Sequence, residues 1–237
     1  MTEGAGLSCS LFYLKSRMKK LFLFGATLSV AFAAAATDLD MKIAYYSKVV
    51  TPEGVTREAR YEEKMLRRAG HVWTMRVLPA HAAAHEDHQP GAHKHFNHVV
   101  LARHVTLENA RPRIEFIDAH DRQVVSVPPA EYGNVSFDGS WDHAYYLLDS
   151  KRLKSMPLSS RASSTPGARW REREDNSVFE RVLWDEQRQI PLLIESGDKA
   201  GTFVNRMEIT VQPALTRDLP WQKLKGYAQK EYSDFLD

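Results

Sequence analysis

Histidine is the residue whose number and spacing stand out. Eight of the ten histidines fall between His71 and His104, and His81, His85, His88, His93, His95 and His98 lie in one short run with Glu86 and Asp87 among them. Imidazole is the commonest side-chain ligand for zinc, copper and nickel, and it works without a thiol. His81 and His85 have i, i+4 spacing and His85 and His88 i, i+3 spacing, so one helical turn would set each pair on one side. Pro90-Gly91 breaks any helix there, and His93 and His95 share a face if the chain is then extended. If residues 97–107 form a strand, His98 and His104 lie on one face but about 20 Å apart, too far for one metal. The candidate copper or zinc site is therefore His81, His85, His88, His93 and His95. The same residues also read as a polar loop that titrates near neutral pH.

Other chemistry finds little support in the chain. His85-Glu86-Asp87-His88 is one residue short of the H-E-x-x-H pair of zinc proteases. Gly139-Ser140 lacks the G-x-S-x-G frame of a nucleophile elbow, and no glycine-rich loop is spaced to cradle a phosphate. Asp142-His143 are neighbours, but an acid–base dyad needs a geometry that adjacency does not provide. Beside them, Trp141, Tyr145 and Tyr146 are aromatic enough to wall a ligand cavity or to fill a core. The reading is of a non-enzymatic protein.

An export signal sets the compartment. Met18-Lys19-Lys20 is followed by an apolar run from Leu21 to Phe32 and by Ala33 to Ala36, the charged, apolar and small-residue order of a cleavable signal peptide. The apolar run is shorter than the roughly 20 residues a spanning helix wants, so no transmembrane segment is expected after cleavage. Residues 1–17 read as an upstream start extension, and they hold the only cysteine, Cys9. Removing residues 1–36 takes four of the 32 Lys/Arg and one of the 30 Asp/Glu, so the basic balance of the whole chain disappears. The expected mature protein is periplasmic, thiol-free and near neutral, with no electrostatic case for nucleic acid. Residues 37–237 are enough for one β-rich domain with a core that needs no staples.

The pattern along that domain is mainly β. Strands are expected at Met41–Val50, His71–Leu78, Asn97–Leu107, Arg113–Ile117, Gln123–Val127, Val178–Trp184, Ile190–Glu195 and Thr202–Val211, with turn residues between them. On the 97–107 strand Val99, Leu101, Val105 and Leu107 share a face that only Arg103 interrupts. Residues 55–69 are rich in Glu, Arg and Lys and fit a helix or a long strand; the alternation Val55, Arg57, Ala59, Tyr61, Glu63, Met65 inclines to strand. A histidine-rich loop is expected at 79–97 and a long polar loop at 150–177, with a short helix or pocket wall at Trp141–Leu148. Pro220 suits a first helical position, and Trp221, Leu224, Ala228, Tyr232 and Phe235 recur at helical spacing, predicting a C-terminal amphipathic helix. The expected architecture is a curved antiparallel sheet or incomplete barrel with that helix and few others.

The segment Trp184-Asp185, Ile190-Pro191-Leu192-Leu193-Ile194-Glu195 and Gly201-Thr202 resembles a hairpin recurrent in the LolA/LolB-like periplasmic lipoprotein-carrier superfamily and related sigma-factor-regulator sensors. The resemblance covers about 30 residues closely and the β-rich layout loosely. It implies a curved antiparallel sheet closed by helices over an apolar cavity, in proteins that bind lipid tails or hydrophobic segments. This chain opens with a strand where such carriers open with a helix, and its histidine-rich insertion is its own. Physical reasoning leads to the same place independently: an apolar sheet face with little helical cover must hold something against it. Three functions follow as expectations. The first is binding of a hydrophobic ligand or apolar partner segment, with Trp141, Tyr145 and Tyr146 at the cavity. The second is copper or zinc binding or delivery by the histidine cluster. The third is partnership in envelope stress or assembly through an envelope protein that orders the 150–177 loop.

Overall fold

The computed structural model describes residues 37–79 and 96–235. Eleven strands make one sheet: β1 (Leu39–Val50), β2 (Thr56–Arg68), β3 (His71–Arg76), β4 (Ala102–Glu108), β5 (Arg111–Asp118), β6 (Gln123–Val127), β7 (Ala168–Asp175), β8 (Val178–Asp185), β9 (Ile190–Asp198), β10 (Phe203–Val211) and β11 (Ala228–Glu231). Their spatial order is β11-β6-β5-β4-β3-β2-β1-β10-β9-β8-β7. Neighbours are antiparallel except the β11–β6 pair, which is parallel. The sheet is curved and does not close into a barrel, since β11 and β7 remain edges. The fold is mainly β, as the alternation predicts.

The 55–69 segment is strand. β1 and β2 pair along their whole length around a turn closed by Gly54 N–H on the Thr51 carbonyl, with Gly54 at φ +81°. Of the charges that suggest helix, Glu58, Arg60, Glu62 and Lys64 sit on the outer face of this hairpin, where Lys42 Nζ pairs with Glu62 at 2.7 Å across the strands. Cross-strand ion pairs suit a pleated surface as well as helical ones suit a helix.

The two faces of the sheet carry different layers. The inner face holds the main core: Leu39, Met41 and Ile43 of β1, Met65 of β2, Val72, Val105, Ile114, Phe116, Val125 and Ile209. Over it lie a 3-10 turn at Pro129–Val135 and two short helices, α1 (Trp141–Tyr146) and α2 (Ser150–Ser155). The Ser140 side chain caps α1 and the Asp149 carboxylate caps α2 by accepting backbone N–H bonds. Leu148, Leu153 and Met156 carry the cover onto Val182 and Trp184 of β8.

Three expectations are corrected. The 150–177 segment is not one long loop: it is α2, a connector, and the edge strand β7. Its Arg and Glu content reflects an exposed edge, where charge blocks pairing with other chains. Residues 97–101 are not strand; β4 starts at Ala102. The C-terminal segment is not an amphipathic helix. It is a 3-10 turn at Pro220–Lys223, β11, and a second 3-10 turn at Tyr232–Phe235. Gly226, at φ +83°, halts helical continuation between them. Trp221 and Leu224 pack on the outer face with Trp73, Ile117 and Val124, whereas Tyr232 and Phe235 pack into the inner core. The helical spacing of these residues arises because the segment wraps the sheet edge and serves both faces.

Candidate functional site

Among the described residues the inner face is covered at one end and open at the other. Along β1, exposure rises from Leu39 (6%), Met41 (2%) and Ile43 (0%) through the half-buried Tyr45 and Ser47 to Val49 (46%). β1 and β2 are twelve and thirteen residues long, whereas β3 has six and β4 seven, so the hairpin outruns the helical cover. The exposed stretch of inner face is built from register. Tyr45 lies opposite Tyr61 on β2 and Met207 on β10, and Met207 lies opposite Ile194 on β9.

Two adjoining depressions occupy this stretch and share Tyr45 and Tyr61. One, of about 300 Å³, has Tyr45, Tyr61, Glu63, Thr74, Arg76, Arg103 and Phe116 for its floor, with His98–Leu101 and Val135-Ser136 for walls. The other, of about 220 Å³, continues over Ser47, Ile194, Ser196, Asn205 and Met207. Tyr45 and Tyr61 stack with centroids 4.5 Å apart, and the Arg76 guanidinium lies 3.9 Å over the Tyr61 ring. The Tyr45 hydroxyl donates to Glu63 at 3.2 Å. Burial, then the Glu63 charge, pushes the Tyr45 phenol well above its ordinary value, so it stays a donor. Burial and the Arg103 charge pull His98 down, so its imidazole is neutral at pH 7.

Larger depressions elsewhere are less suited to a ligand. One of about 460 Å³ on the outer face is walled by Arg60, Glu62, Arg206 and Glu208, whose charges are already neutralised by Glu58, Lys42 and one another. One of about 570 Å³ lies beside Pro112, Pro128 and Tyr132 at the end of β5 and β6. Neither lies on the apolar inner face where the cover ends.

The residues singled out in the sequence fall in different places. His81, His85, His88, His93 and His95 lie outside the described residues. Among the described residues no three His, Cys, Asp or Glu side chains converge on a metal position. His98 borders the inner-face groove, whereas His104 faces outward. There His71 Nδ1 meets His104 Nε2 at 3.1 Å, and Trp221 stacks on both rings at 5.2 and 5.3 Å. His143 contacts the Asp138 carboxylate, so its partner is not the adjacent Asp142.

Trp141, Tyr145 and Tyr146 belong to α1 over the covered end. Trp141 and Tyr145 stack at 4.8 Å, and Tyr145 and Tyr146 meet edge to face at 5.0 Å. Both tyrosines flank the Arg67 guanidinium, 4.9 and 5.9 Å from their centroids. None of the three lines the two inner-face depressions. Sequence reasoning missed Tyr45, Tyr61, Arg76 and Met207, each unremarkable within its own strand. It did register Arg103 as the break in an apolar face.

The hairpin singled out in the sequence forms β8 and β9. The buried Asp185 carboxylate accepts the Gln187 and Arg188 N–H groups at 3.0 and 2.9 Å, and an irregularity at Leu183/Trp184 sets Trp184 opposite Pro191. No protein-family model and no curated protein matches the chain. Solved structures of similar fold do. A LolA superfamily protein from Nitrosomonas europaea is 13% identical, with 79% of this chain and 89% of that one covered and a TM-score of 0.35. A DUF1329 family protein from Desulfovibrio piger is 8% identical over 76% and 88%, with a TM-score of 0.31. In the Pseudomonas aeruginosa MucA/MucB complex the match is 12% identical over 76% of this chain, spans 54% of that one, and has a TM-score of 0.35. These likenesses concern the fold alone. Among the described residues no helix is long and apolar enough to cross a membrane.

Proposed function

We propose that the protein is a non-enzymatic periplasmic binding protein that holds a hydrophobic ligand, or an apolar segment of an envelope partner, on the open end of its inner sheet face. One observation carries the reading: the apolar inner face continues past its cover into a groove floored by Tyr45, Tyr61, Met207 and Ile194. An apolar floor with a few placed polar groups is the usual form of a ligand pocket; here an apolar part of about 220 Å³ adjoins a more polar part of about 300 Å³. The periplasmic address rests on the export signature of Met18–Ala36. The α1 aromatics support the covered end of the same face and define where the groove begins.

Met207→Arg tests this reading, because it puts a charge on the groove floor at a half-buried site that tolerates a long side chain. Uptake of the neutral fluorescent probe N-phenyl-1-naphthylamine is expected to weaken at least about ten-fold, the scale of desolvating a charge against an apolar ligand. Circular dichroism should be unchanged. Equal uptake by both proteins would remove the groove from the account. A second reading, copper or zinc binding by His81, His85, His88, His93 and His95, rests on their spacing, and metal titration of a variant with all five replaced by alanine decides it.

A further inference from the structure

The 300 Å³ end of the groove has a charge imbalance. Arg76 and Arg103 both line it, and among the described residues Glu63 is its only carboxylate. Glu63 already accepts the Tyr45 hydroxyl. Among the described residues neither guanidinium has a carboxylate within 4.0 Å. Arg76 spends one planar face on the Tyr61 ring, which leaves its edge N–H groups free to donate. Arg103 Nε is enclosed by protein and has no hydrogen-bond partner. That atom is closed to a ligand, so it is the unbalanced charge of the two guanidiniums lining the groove that calls for an anion, and a planar guanidinium fork suits a carboxylate or phosphate.

The rest of the groove is different in character. Past the Tyr45–Tyr61 stack it runs over Met207 and Ile194, with Ser47, Ser196 and Asn205 beside it and Tyr46 and Arg206, the latter paired with Glu208, at its rim. We infer that the groove takes a single-chain amphiphile with an anionic head, the head held between Arg103 and Arg76 and the alkyl chain laid across Tyr45 and Tyr61 towards Met207 and Ile194. This deepens the proposed function and rests on its reading of the groove as a site for an apolar ligand. Charge complementarity selects the anion; a cationic amphiphile would meet two guanidiniums at the head position.

Isothermal titration of the mature chain with four probes tests the inference: dodecanoate, dodecanol, dodecyltrimethylammonium and butanoate, each kept monomeric below its micellar or solubility limit. Dodecanoate is expected to bind about ten-fold or more tighter than dodecanol, and the cationic chain weakest. Butanoate, which has the head and little chain, should bind at least a hundred-fold more weakly than dodecanoate. Arg103→Gln should remove the preference of dodecanoate over dodecanol, and Arg103→Lys should restore part of it. Arg76→Gln serves as a second variant, and a melting curve checks the fold of each. Equal binding of dodecanoate and dodecanol by the wild type, or an unchanged preference in both Gln variants, overturns the anionic head and leaves the apolar groove standing. Butanoate binding as tightly as dodecanoate overturns the amphiphile. Failure of both dodecanoate and dodecanol to bind overturns this inference and the proposed function together.

Discussion

Arg67→Ala is expected to destabilise the protein by about 3–5 kcal/mol, a fall in Tm of roughly 10 °C or more for a domain of this size. Arg67 is on the inner face of β2 and is fully buried, yet no carboxylate bonds to it among the described residues. Its guanidinium instead donates to four backbone carbonyls: Thr37 at 3.0 Å, Arg188 at 2.7 Å, Gln189 at 3.3 Å and Tyr145 at 3.4 Å. These belong to the start of the described chain, the β8–β9 turn and α1. One side chain therefore ties the helical cover to two separate parts of the sheet. Burial pulls its pKa down, with the flanking tyrosines opposing, but a guanidinium remains charged at any working pH. Truncation would orphan the carbonyls and leave a cavity beneath α1. Arg67→Met fills the volume without the donors, so it should recover only part of the loss. Thermal and urea melts of both variants check this. A loss below 1 kcal/mol in Arg67→Ala would mean that α1 is held by its own packing.

Asp40→Ala is expected to cost about 3–5 kcal/mol through a different route, by leaving the buried Arg68 charge with only the longer Asp38 contact at 3.8 Å. Asp40 and Arg68 are 5% and 8% exposed and pair at 2.7 Å on the outer face. The second Asp40 oxygen accepts the Thr216 N–H at 2.8 Å and its hydroxyl at 2.5 Å, which fixes the start of the C-terminal segment where it leaves β10. Burial alone would raise the Asp40 carboxyl; the Thr216 hydroxyl and the Arg68 guanidinium outweigh it and hold the pKa below its ordinary 3.8. The sign of the linkage follows. A carboxylate depressed in the folded state contributes stability that is fully present above its unfolded pKa and is lost as pH falls through its folded one. Wild type should therefore lose this contribution progressively below about pH 4, whereas Asp40→Ala lacks that slope. The double variant Asp40→Ala/Arg68→Met removes both charges and should recover most of the loss, since paired removal is nearly neutral. A double variant no more stable than Asp40→Ala would place the effect in the Thr216 contacts instead.

Much of the sheet was legible because period-two alternation and turn residues are local signals. β1, β3, β5, β6, β8, β9 and β10 all lie where alternation puts them. The errors have separate causes. Trp221 through Phe235 keep helical spacing while serving opposite faces of the sheet around an edge. β7 read as loop because an edge strand shows its charges and buries little; Ala168 alone is fully buried on it.

The site was less legible than the fold. Trp141, Tyr145 and Tyr146 drew attention as adjacent aromatics, but their adjacency reflects a short helix that clamps Arg67. The groove floor is assembled from single residues on β1, β2, β9 and β10, brought together by register, a long-range property no local window contains. Arg103 was the one clue in plain view. A cation interrupting an apolar strand face either finds a partner or waits for one, and this guanidinium lines the groove with no carboxylate paired to it among the described residues.

The central claim is that an apolar chain lies in this groove, and photo-crosslinking maps it directly. Dodecanol carrying a diazirine at mid-chain is bound to the protein, irradiated, and the labelled peptides are sequenced by mass spectrometry. The account predicts label on Tyr45–Val49, Tyr61, Ile194 and Met207, suppressed by unlabelled dodecanol and by Met207→Arg. Label confined to the outer face, around Arg60, Glu62 and Arg206, or insensitive to competitor, would contradict it.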